Sequence, residues 1–452
     1  MSEQVIQENK MGTMAVPKLL ITMSLPMMLS MLVQALYNVV DSMFVAKLNE
    51  AALTAVSLAF PVQNLMIAVA AGTGVGINAL LSRNLGEQRF EDANKAARNG
   101  IFLAIISYIV FALICGFGAR TFFAIQVDDE AIITYGTQYM IVIAVGSISI
   151  FLQITLERLL QSTGRTIYNM CTQGLGAAIN ILFDPLLIFG LGPFPRLEVW
   201  GAAIATVFGQ VVAVLLSLYF NVKKNKELDL NMRGFRPDKQ TVVNIYKVGI
   251  PSIFMQAIGS VMVFGMNKIL LMFSTTAATV YGVYYKLQSF VFMPVFGLTN
   301  GMIPIVAYNY GARNKKRILS TLKLAIIYAV SIMLVGLVIF QVFTPQLLGI
   351  FDASEHMLEI GVQALRIISL SFVIAGFCIV TSATFQALGN GVYSLITSAI
   401  RQLAVILPVA YLLAKFFGLS MVWWAVPIAE LFSLGLCLIF LSRIVKKKLN
   451  TL

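Results

Sequence analysis

Cysteine, histidine and charged residues are scarce in this chain of 452 residues. The four cysteines stand singly, no CxxC or Cys/His cluster occurs, and His356 is the only histidine. These residues provide too little material for a disulfide framework, a zinc site or histidine-based catalysis. No phosphate-binding loop and no nucleophile–base pair is present either. We therefore expect a protein that is not an enzyme and that holds no metal or organic cofactor.

Charged residues make up 12% of the chain and hydrophobic residues 59%, whereas a soluble domain has about 25% and about 45–50%. The mean hydropathy of +0.86 indicates that hydrocarbon is the solvent. A spanning helix needs roughly 20 mostly apolar residues. On that basis we predict an all-α integral membrane protein with twelve transmembrane helices, at 16–46, 50–80, 97–119, 132–160, 168–191, 199–221, 243–273, 276–307, 319–343, 357–383, 391–414 and 421–444.

The net charge of +12 is explained by where the basic residues lie. About 24 of them fall in segments predicted to be cytoplasmic and about four on the opposite side, which is the positive-inside bias. This bias predicts that both termini are cytoplasmic in a multi-pass protein of the inner (plasma) membrane. It also removes the reason to expect nucleic acid as a partner. The first apolar stretch has no small-residue cleavage site, which predicts a retained helix and not a signal peptide.

The chain repeats itself at one offset of 225 residues (251 − 26 = 225). The matched positions fall in four separate regions: Pro26/Pro251, Gly72/Gly297, Gly76/Gly301, Asn84/Asn309, Gly86/Gly311, Glu130/Glu355, Gly136/Gly361, Gln138/Gln363, Gln161/Gln386, Gly164/Gly389 and Tyr168/Tyr393. Six helices per copy is an even number, so both copies enter the membrane with the same orientation. The pattern predicts two parallel six-helix repeats (6+6) related by a pseudo-two-fold axis along the membrane normal, as in many secondary transporters.

The longest polar stretch, residues 222–242, is the natural boundary between the copies. We predict an N-terminal lobe at 1–221, which includes a short polar leader and helices 1–6. The cytoplasmic linker is 222–242, and the C-terminal lobe with helices 7–12 and a basic tail is 243–452. A substrate path is expected on the axis between the lobes.

Two carboxylates stand deep in apolar segments of the first copy, where a charged side chain costs at least about 2.5–3.5 kcal/mol. Asp41 shares one helical face with Gln34 and Asn38, at i−7 and i−3, and Tyr37 flanks that face. Asp184 has Asn180 one turn earlier, and Pro185 follows it, which is expected to kink the helix. These residues predict one shared polar pocket.

Further candidates for this pocket are Tyr139, Gln153 and Glu157 in helix 4 and Thr206 in helix 6. Other interpretations remain open. Asp41 could face water near the outer end of its helix, and Asp184 could be a structural partner of Asn180. Glu157 could form an interfacial pair with Arg158, while Gln34, Tyr37 and Thr206 could be plain packing residues.

The repeat serves as an internal control on these polar residues. Adding 225 to Gln34, Asn38, Asp41, Asn180 and Asp184 gives Gly259, Val263, Met266, Val405 and Val409. A requirement of the fold would be expected in both copies. The asymmetry therefore favours a functional role located in the N-terminal lobe.

The second copy carries charges of the opposite sign inside its apolar segments. Lys286, Arg366 and Arg401 are basic and Glu430 is the one deep acid, while their counterparts Pro61, Ile141, Gly176 and Ala205 are uncharged. Glu430 could simply pair with Arg366 or Arg401. The other interpretation is a role in anion recognition or in closing the two lobes.

With these features the chain resembles the MATE (multidrug and toxic compound extrusion) family, in its bacterial DinF-like, MepA-type branch. The resemblance covers the 6+6 layout and the segments SLPMMLSMLVQALYNVVDSMFVAKL (24–48), AVAAGTGVGINALLSRNLGEQRFEDA (68–93), QSTGR (161–165) and NILFDPLLIFGLG (180–192). It implies a multidrug efflux antiporter with a V-shaped pair of lobes, associated with antibiotic resistance. It also implies a functional acid at Asp41 and a functional pair at Asn180 and Asp184. Some relatives bind sodium through acids of helices 7 and 10, which this chain lacks.

The mechanism we expect is competition between a cationic drug and a coupling ion for the same carboxylates. The coupling ion is H⁺ or Na⁺, with Asp41, Asn180 and Asp184 as its site. Pro26 and Pro185 are candidate hinges, although packing alone could explain both prolines. We expect a monomer. The alternative function is a lipid-linked oligosaccharide or lipid flippase of the same superfamily, which would need a basic central cavity; Lys286, Arg366 and Arg401 keep that alternative open.

Overall fold

The computed structural model describes residues 9–351 and 353–451, apart from the side chains of Asn38, Ser42, Ala46 and Glu50. Residues 1–8 of the predicted leader lie outside it. In the first half of the chain the long helices are α1 (Val16–Ala46), α2 (Glu50–Gly86), α3 (Phe90–Ala124), α4 (Glu130–Ser162), α5 (Thr166–Phe189) and α6 (Val199–Lys223). All six coincide with predicted segments to within two residues at each end, except that α2 and α3 extend about five to seven residues further.

The second half begins with three long helices, α7 (Lys239–Leu271), α8 (Thr275–Gly311) and α9 (Lys315–Val342). The remaining ones are α10 (Glu355–Ser369), α11 (Phe372–Ala387), α12 (Gly391–Ala399), α13 (Leu407–Phe417) and α14 (Ala425–Ile444). Short helices lie at Lys10–Thr13, Thr344–Gly349 and Leu419–Val422, and π-helical turns at Ile400–Ile406 and Val445–Leu449.

Eleven helices in the described ranges are long and apolar enough to cross a membrane, or twelve if α10 and α11 form one span. The predicted helix at 357–383 is thus broken, because α10 and α11 meet at an angle of 48°. The predicted helix at 391–414 contains the π-helical turn Ile400–Ile406 between α12 and α13. With these two refinements the fold class is confirmed as an all-α membrane protein of two six-helix repeats.

Equivalent helices of the two repeats begin with equivalent capping residues. Asn49 accepts a hydrogen bond from the Ala52 amide at 2.7 Å at the start of α2, and Ser274, 225 positions later, caps α8 in the same way. Asp129 and Ser354 cap α4 and α10. A side-chain oxygen at this position satisfies an amide that has no partner within the helix. The duplication therefore extends to the local signals that start each helix.

The chain forms two compact units, and their limits differ from the predicted lobe boundaries. One unit, here the N unit, is Leu29–Ile253; the other, the C unit, contains the described residues up to Met28 and those from Phe254 onward. The first part of α1 therefore belongs with the C unit and the first part of α7 with the N unit. In each of these two helices the boundary between the units falls two residues after a proline, Pro26 in α1 and Pro251 in α7. Both helices are continuous through these prolines. Likewise, α5 is continuous through Pro185.

Glycines in the second helix of each repeat explain how these exchanged segments pack. A Cβ on Gly297 of α8 would lie 2.4 Å from the Met28 Cα in the C unit. At the equivalent place in the N unit, a Cβ on Gly72 would lie 2.7 Å from the Ile253 backbone nitrogen. Only glycine allows two helix backbones to approach this closely, as at small-residue contacts between membrane helices. The sequence showed these glycines as repeat markers without revealing what they contact.

Polar contacts attach the segment before α1 to the C unit. Arg317 donates to the carbonyl oxygens of Met11 at 3.0 Å and Met14 at 2.7 Å, and Asn309 also donates to Met11 at 3.0 Å. Further along, the Ser24 hydroxyl donates to the Leu298 carbonyl at 3.2 Å. These bonds order the chain where it enters α1.

The predicted linker 222–242 packs against α3 within the N unit. Arg98 forms an ion pair with Asp229 at 2.9 Å, and Asn94 accepts a hydrogen bond from the Asp229 amide at 2.9 Å. Asn99 accepts from the Asp238 amide at 3.0 Å. The linker is therefore part of the N unit up to the start of α7.

Candidate ion and substrate site

The carboxyl groups of Asp41 in α1 and Asp184 in α5 lie within hydrogen-bond reach of each other inside the N unit. Asp184 is fully buried. The Oδ1 atom of each carboxyl group is buried without a hydrogen-bond partner. None of the ion pairs formed by the described residues includes either aspartate. The arrangement therefore offers carboxylate oxygens whose charge is not compensated by a basic side chain.

Asn180 links this carboxyl pair to α6. With its amide nitrogen turned towards Asp184, that nitrogen donates to Asp184 Oδ2 at 3.2 Å and its oxygen accepts from the Thr206 backbone amide at 3.0 Å. This orientation is assigned from the hydrogen-bonding pattern, because oxygen and nitrogen of an amide are otherwise alike. The Thr206 hydroxyl donates to the Ala202 carbonyl at 3.0 Å. Asn180 therefore holds Asp184 in place against α6.

Aromatic residues line the same region. Tyr37 and Tyr139 both lie close enough to Asp41 and Asp184 to interact with them electrostatically. Tyr139 is almost fully buried, and its hydroxyl accepts a hydrogen bond from Gln63 Nε2 at 3.0 Å. Gln63 was missed at the sequence level, although it shows the same signal as the others, a polar residue inside a long apolar run.

The N unit brings together six of the residues named from the sequence: Tyr37, Asp41, Tyr139, Asn180, Asp184 and Thr206. Gln34 is half-buried and lies seven residues, or about 10 Å, before Asp41 along α1. The side chain of Asn38 lies outside the part of the chain that the structure describes. We refer to the six residues together with Gln63 as the aspartate site.

Gln153 and Glu157 are not part of the aspartate site. They follow Tyr139 on α4 by 14 and 18 residues, which corresponds to about 21 and 27 Å along the helix axis. Glu157 is 3% exposed and accepts hydrogen bonds from Gln153 at 3.0 Å, Thr172 at 3.1 Å and Gln173 at 2.8 Å. This second polar cluster joins α4 to α5 and is separate from the predicted pocket.

The four charged residues predicted inside apolar segments of the second copy divide into one ion pair with a buried acid and two exposed bases. Arg401 donates to Glu430 at 2.6 Å, so the acid pairs with Arg401 and not with Arg366. Lys286 and Arg366 are exposed. The described residues contain no group of three or more His, Cys, Asp or Glu side chains that could hold a metal ion.

Comparison with known proteins agrees with this architecture. The MatE family model matches residues 26–186 and again 251–412, which are the two repeats. The multidrug export protein MepA of Staphylococcus haemolyticus is 28% identical over 414 residues, covering 91% of this chain and 90% of that protein.

Solved structures with the same fold include transporters whose pockets differ in polarity. An outward-facing multidrug resistance MATE family transporter of the MOP superfamily matches with a TM-score of 0.93 at 27% identity, covering 100% of both chains. A MOP superfamily transporter from Pyrococcus furiosus, described as having a binding pocket of reverse polarity, matches with a TM-score of 0.92 at 26% identity, covering 99% and 100%. The fold alone therefore does not decide the function. With both repeats matched by one family model, the chain belongs to the MATE family of membrane transporters.

Proposed function

We propose that this protein exports cationic and amphipathic drugs in exchange for H⁺ or Na⁺, which bind at the aspartate site. The observation that carries the proposal is the pair of neighbouring carboxyl groups, Asp41 and Asp184, with unpartnered oxygens and no basic partner. Two carboxylates this close repel each other, so binding a proton or a cation between them is favourable. A cationic drug and a coupling ion would then compete for the same negative charge.

Each of the surrounding residues has a role in this exchange. Asn180 holds Asp184 and supplies an amide that can reorient when the carboxyl group is protonated or binds Na⁺. The half-buried ring of Tyr37 offers a face on which an aromatic cation can stack. Carboxylate and amide oxygens are hard donors suited to Na⁺ as the coupling ion. The membrane potential would add about 2.3 kcal/mol per charge per 100 mV when net charge moves.

The flippase alternative is less well supported, because it needs a basic cavity for a pyrophosphate headgroup. Of the three basic residues that kept it open, Arg401 has its charge balanced by Glu430, so this pair carries no net positive charge for a pyrophosphate. Lys286 and Arg366 are exposed. The carboxyl pair would also repel such a headgroup. For these reasons we favour a cationic cargo.

The experiment is efflux of ethidium from drug-sensitive bacteria that express the wild type, Asp41→Asn, Asp184→Asn or Asp128→Asn. Asp128 is an exposed aspartate outside the helices and serves as the matched control. After a pH jump or a sodium pulse, we expect the wild type and the control to extrude the dye. Both site variants should fall to the level of cells without the protein, and the effective pulse identifies the ion. Wild-type efflux rates in both site variants would refute the proposal.

Membrane orientation is part of the same proposal. The uneven distribution of basic residues favours an inner-membrane protein with both termini in the cytoplasm. A C-terminal green fluorescent protein fusion should fluoresce, and a C-terminal alkaline phosphatase fusion should be inactive. The opposite result would invert the direction of transport that we propose.

A further inference from the structure

The ion pair between Arg401 and the buried Glu430 in the C unit has unsatisfied hydrogen-bonding groups. Arg401 uses one guanidinium nitrogen, Nη1, to bind Glu430 Oε1 at 2.6 Å. The second carboxylate oxygen, Glu430 Oε2, and the hydroxyl of Ser433 one turn later are buried without a hydrogen-bond partner. Buried polar groups in proteins are nearly always hydrogen-bonded, so unsatisfied groups that cluster need an explanation.

Arg401 also remains accessible at a depth where lipid contact would be costly. It lies ten residues after the start of α12 and sixteen before the end of α13, about 15 and 24 Å along the span. Its side chain is 29% exposed, whereas that of Glu430 is 3% exposed. A guanidinium facing hydrocarbon at this depth is strongly unfavourable. Because of this cost, we expect the exposed part of Arg401 to face a polar environment and not lipid.

Aromatic side chains from α8 flank the guanidinium. Tyr285 lies within electrostatic range of Arg401 and is 36% exposed, and no hydrogen bond of its hydroxyl occurs among the described residues. Its ring centroid is 6.2 Å from that of Tyr281, whose hydroxyl is already bound to the Met262 sulfur at 3.3 Å. Free guanidinium donors thus lie beside an exposed aromatic ring.

A purely structural role does not account for this pair. The equivalent positions of the first repeat are Gly176 and Ala205, so the six-helix fold does not require it. Buried ion pairs also contribute little net stability, since desolvation of both charges offsets their attraction. The π-helical turn Ile400–Ile406 carries Arg401, and such turns are frequent at functional sites.

We infer that Arg401, held by Glu430 and flanked by Tyr285, is the residue that binds the carboxylate of an aromatic substrate. A guanidinium edge binds a carboxylate through two parallel hydrogen bonds, and the ring of Tyr285 packs against the aromatic part. The substrate carboxylate competes with Glu430 for the guanidinium. This inference rests on the proposed drug export and specifies a substrate class for it.

The test uses two fluorescent dyes that differ by one group: rhodamine 110, which carries a free carboxylate, and rhodamine 123, its methyl ester. Binding to the purified full-length protein in detergent is measured by fluorescence anisotropy. The readout is the ratio of the two dissociation constants, because a change in folding alters both alike. The variants are Arg401→Gln, Glu430→Gln, the double variant, and Arg366→Gln as an exposed arginine control.

We expect the wild type to prefer rhodamine 110, and Arg401→Gln to reduce that preference about tenfold to a hundredfold. Glu430→Gln should increase the preference by freeing the guanidinium, and Arg366→Gln should leave it unchanged. The double variant removes both charges together and should match Arg401→Gln, which keeps the test valid if the single variant folds poorly.

An unchanged preference in Arg401→Gln, or a wild type that does not bind rhodamine 110, overturns the inference. Ethidium efflux that depends on Asp41 and Asp184 would still support the proposed function in that case. Conversely, loss of the carboxylate preference in Arg401→Gln would support the inference about Arg401 even if the Asp41 and Asp184 variants export ethidium normally.

Discussion

Replacing Glu157 by leucine tests whether this buried carboxylate joins two helices or contacts the substrate. Three side-chain donors converge on it, from Gln153 on its own helix and from Thr172 and Gln173 on α5. A hydrogen bond to a charged group contributes about 1.5–3 kcal/mol net. Because the three bonds share one acceptor group they are not additive. We expect Glu157→Leu to lower the free energy of unfolding by at least about 3 kcal/mol, since it leaves buried donors unpaired.

The conservative substitution Glu157→Gln should cost much less, about 1 kcal/mol. It keeps one acceptor oxygen, and its new amide nitrogen can donate to the Oε1 atom of Gln153 or Gln173, each of which is buried without a partner. The matched control is Glu130→Leu at the other end of α4. Its carboxylate is 66% exposed and pairs with the equally exposed Arg120, so the loss should stay below about 1 kcal/mol.

The assay is unfolding in mixed micelles by titration with sodium dodecyl sulfate, followed by far-UV circular dichroism, with ethidium efflux measured in parallel. We expect Glu130→Leu to be the most stable of the three variants, Glu157→Gln to be less stable and Glu157→Leu the least stable. Glu157→Gln should retain efflux. If Glu157→Leu is as stable as the wild type yet loses efflux, the structural reasoning is refuted and Glu157 contacts the substrate.

Three further predictions concern packing and the segments outside the membrane. Gly297→Ala should destabilise the C unit by about 1–3 kcal/mol or more through overpacking. Gly282→Ala in the same helix should not, because a Cβ there has nothing within 4 Å. Unfolding by sodium dodecyl sulfate titration distinguishes the two variants. Hydrogen bonds from the side chain and backbone of Thr241 lower the pKa of Asp238, so its stabilisation is present above about pH 4 and lost as the pH falls through the depressed value. The thermal unfolding temperature of Asp238→Ala should therefore differ from that of the wild type at pH 7, and the difference should shrink as the pH falls below about 4; a difference that stays constant down to the lowest pH measured would contradict this. Arg317→Ala should speed tryptic cleavage before α1, and unchanged cleavage would show that the carbonyl contacts do not order that segment.

Much of the site could be predicted because a buried charge is costly in a membrane. That cost singled out Asp41 and Asp184, and the i−4 spacing linked Asn180 to Asp184, as the structure has it. Helical spacing was a poorer guide to whether Tyr139 and Glu157 lie in the same pocket. It indicated that both lie near one face of α4, but two residues on one face can still be far apart along the helix axis. The 18 residues between them correspond to about 27 Å, which puts Glu157 in a separate cluster.

By itself the sequence determined that the protein lies in a membrane, how many helices can span it and that the chain is duplicated. The length of the apolar segments and the constant offset between matching residues follow directly from the order of residues. It could not determine which residues meet across helices. It did not show that Glu430 pairs with Arg401 and not with Arg366. Nor did it show that the starts of α1 and α7 pack in the C unit and the N unit, against the backbones at Gly297 and Gly72. Such contacts join residues far apart in the chain, and only the packed helices decide them.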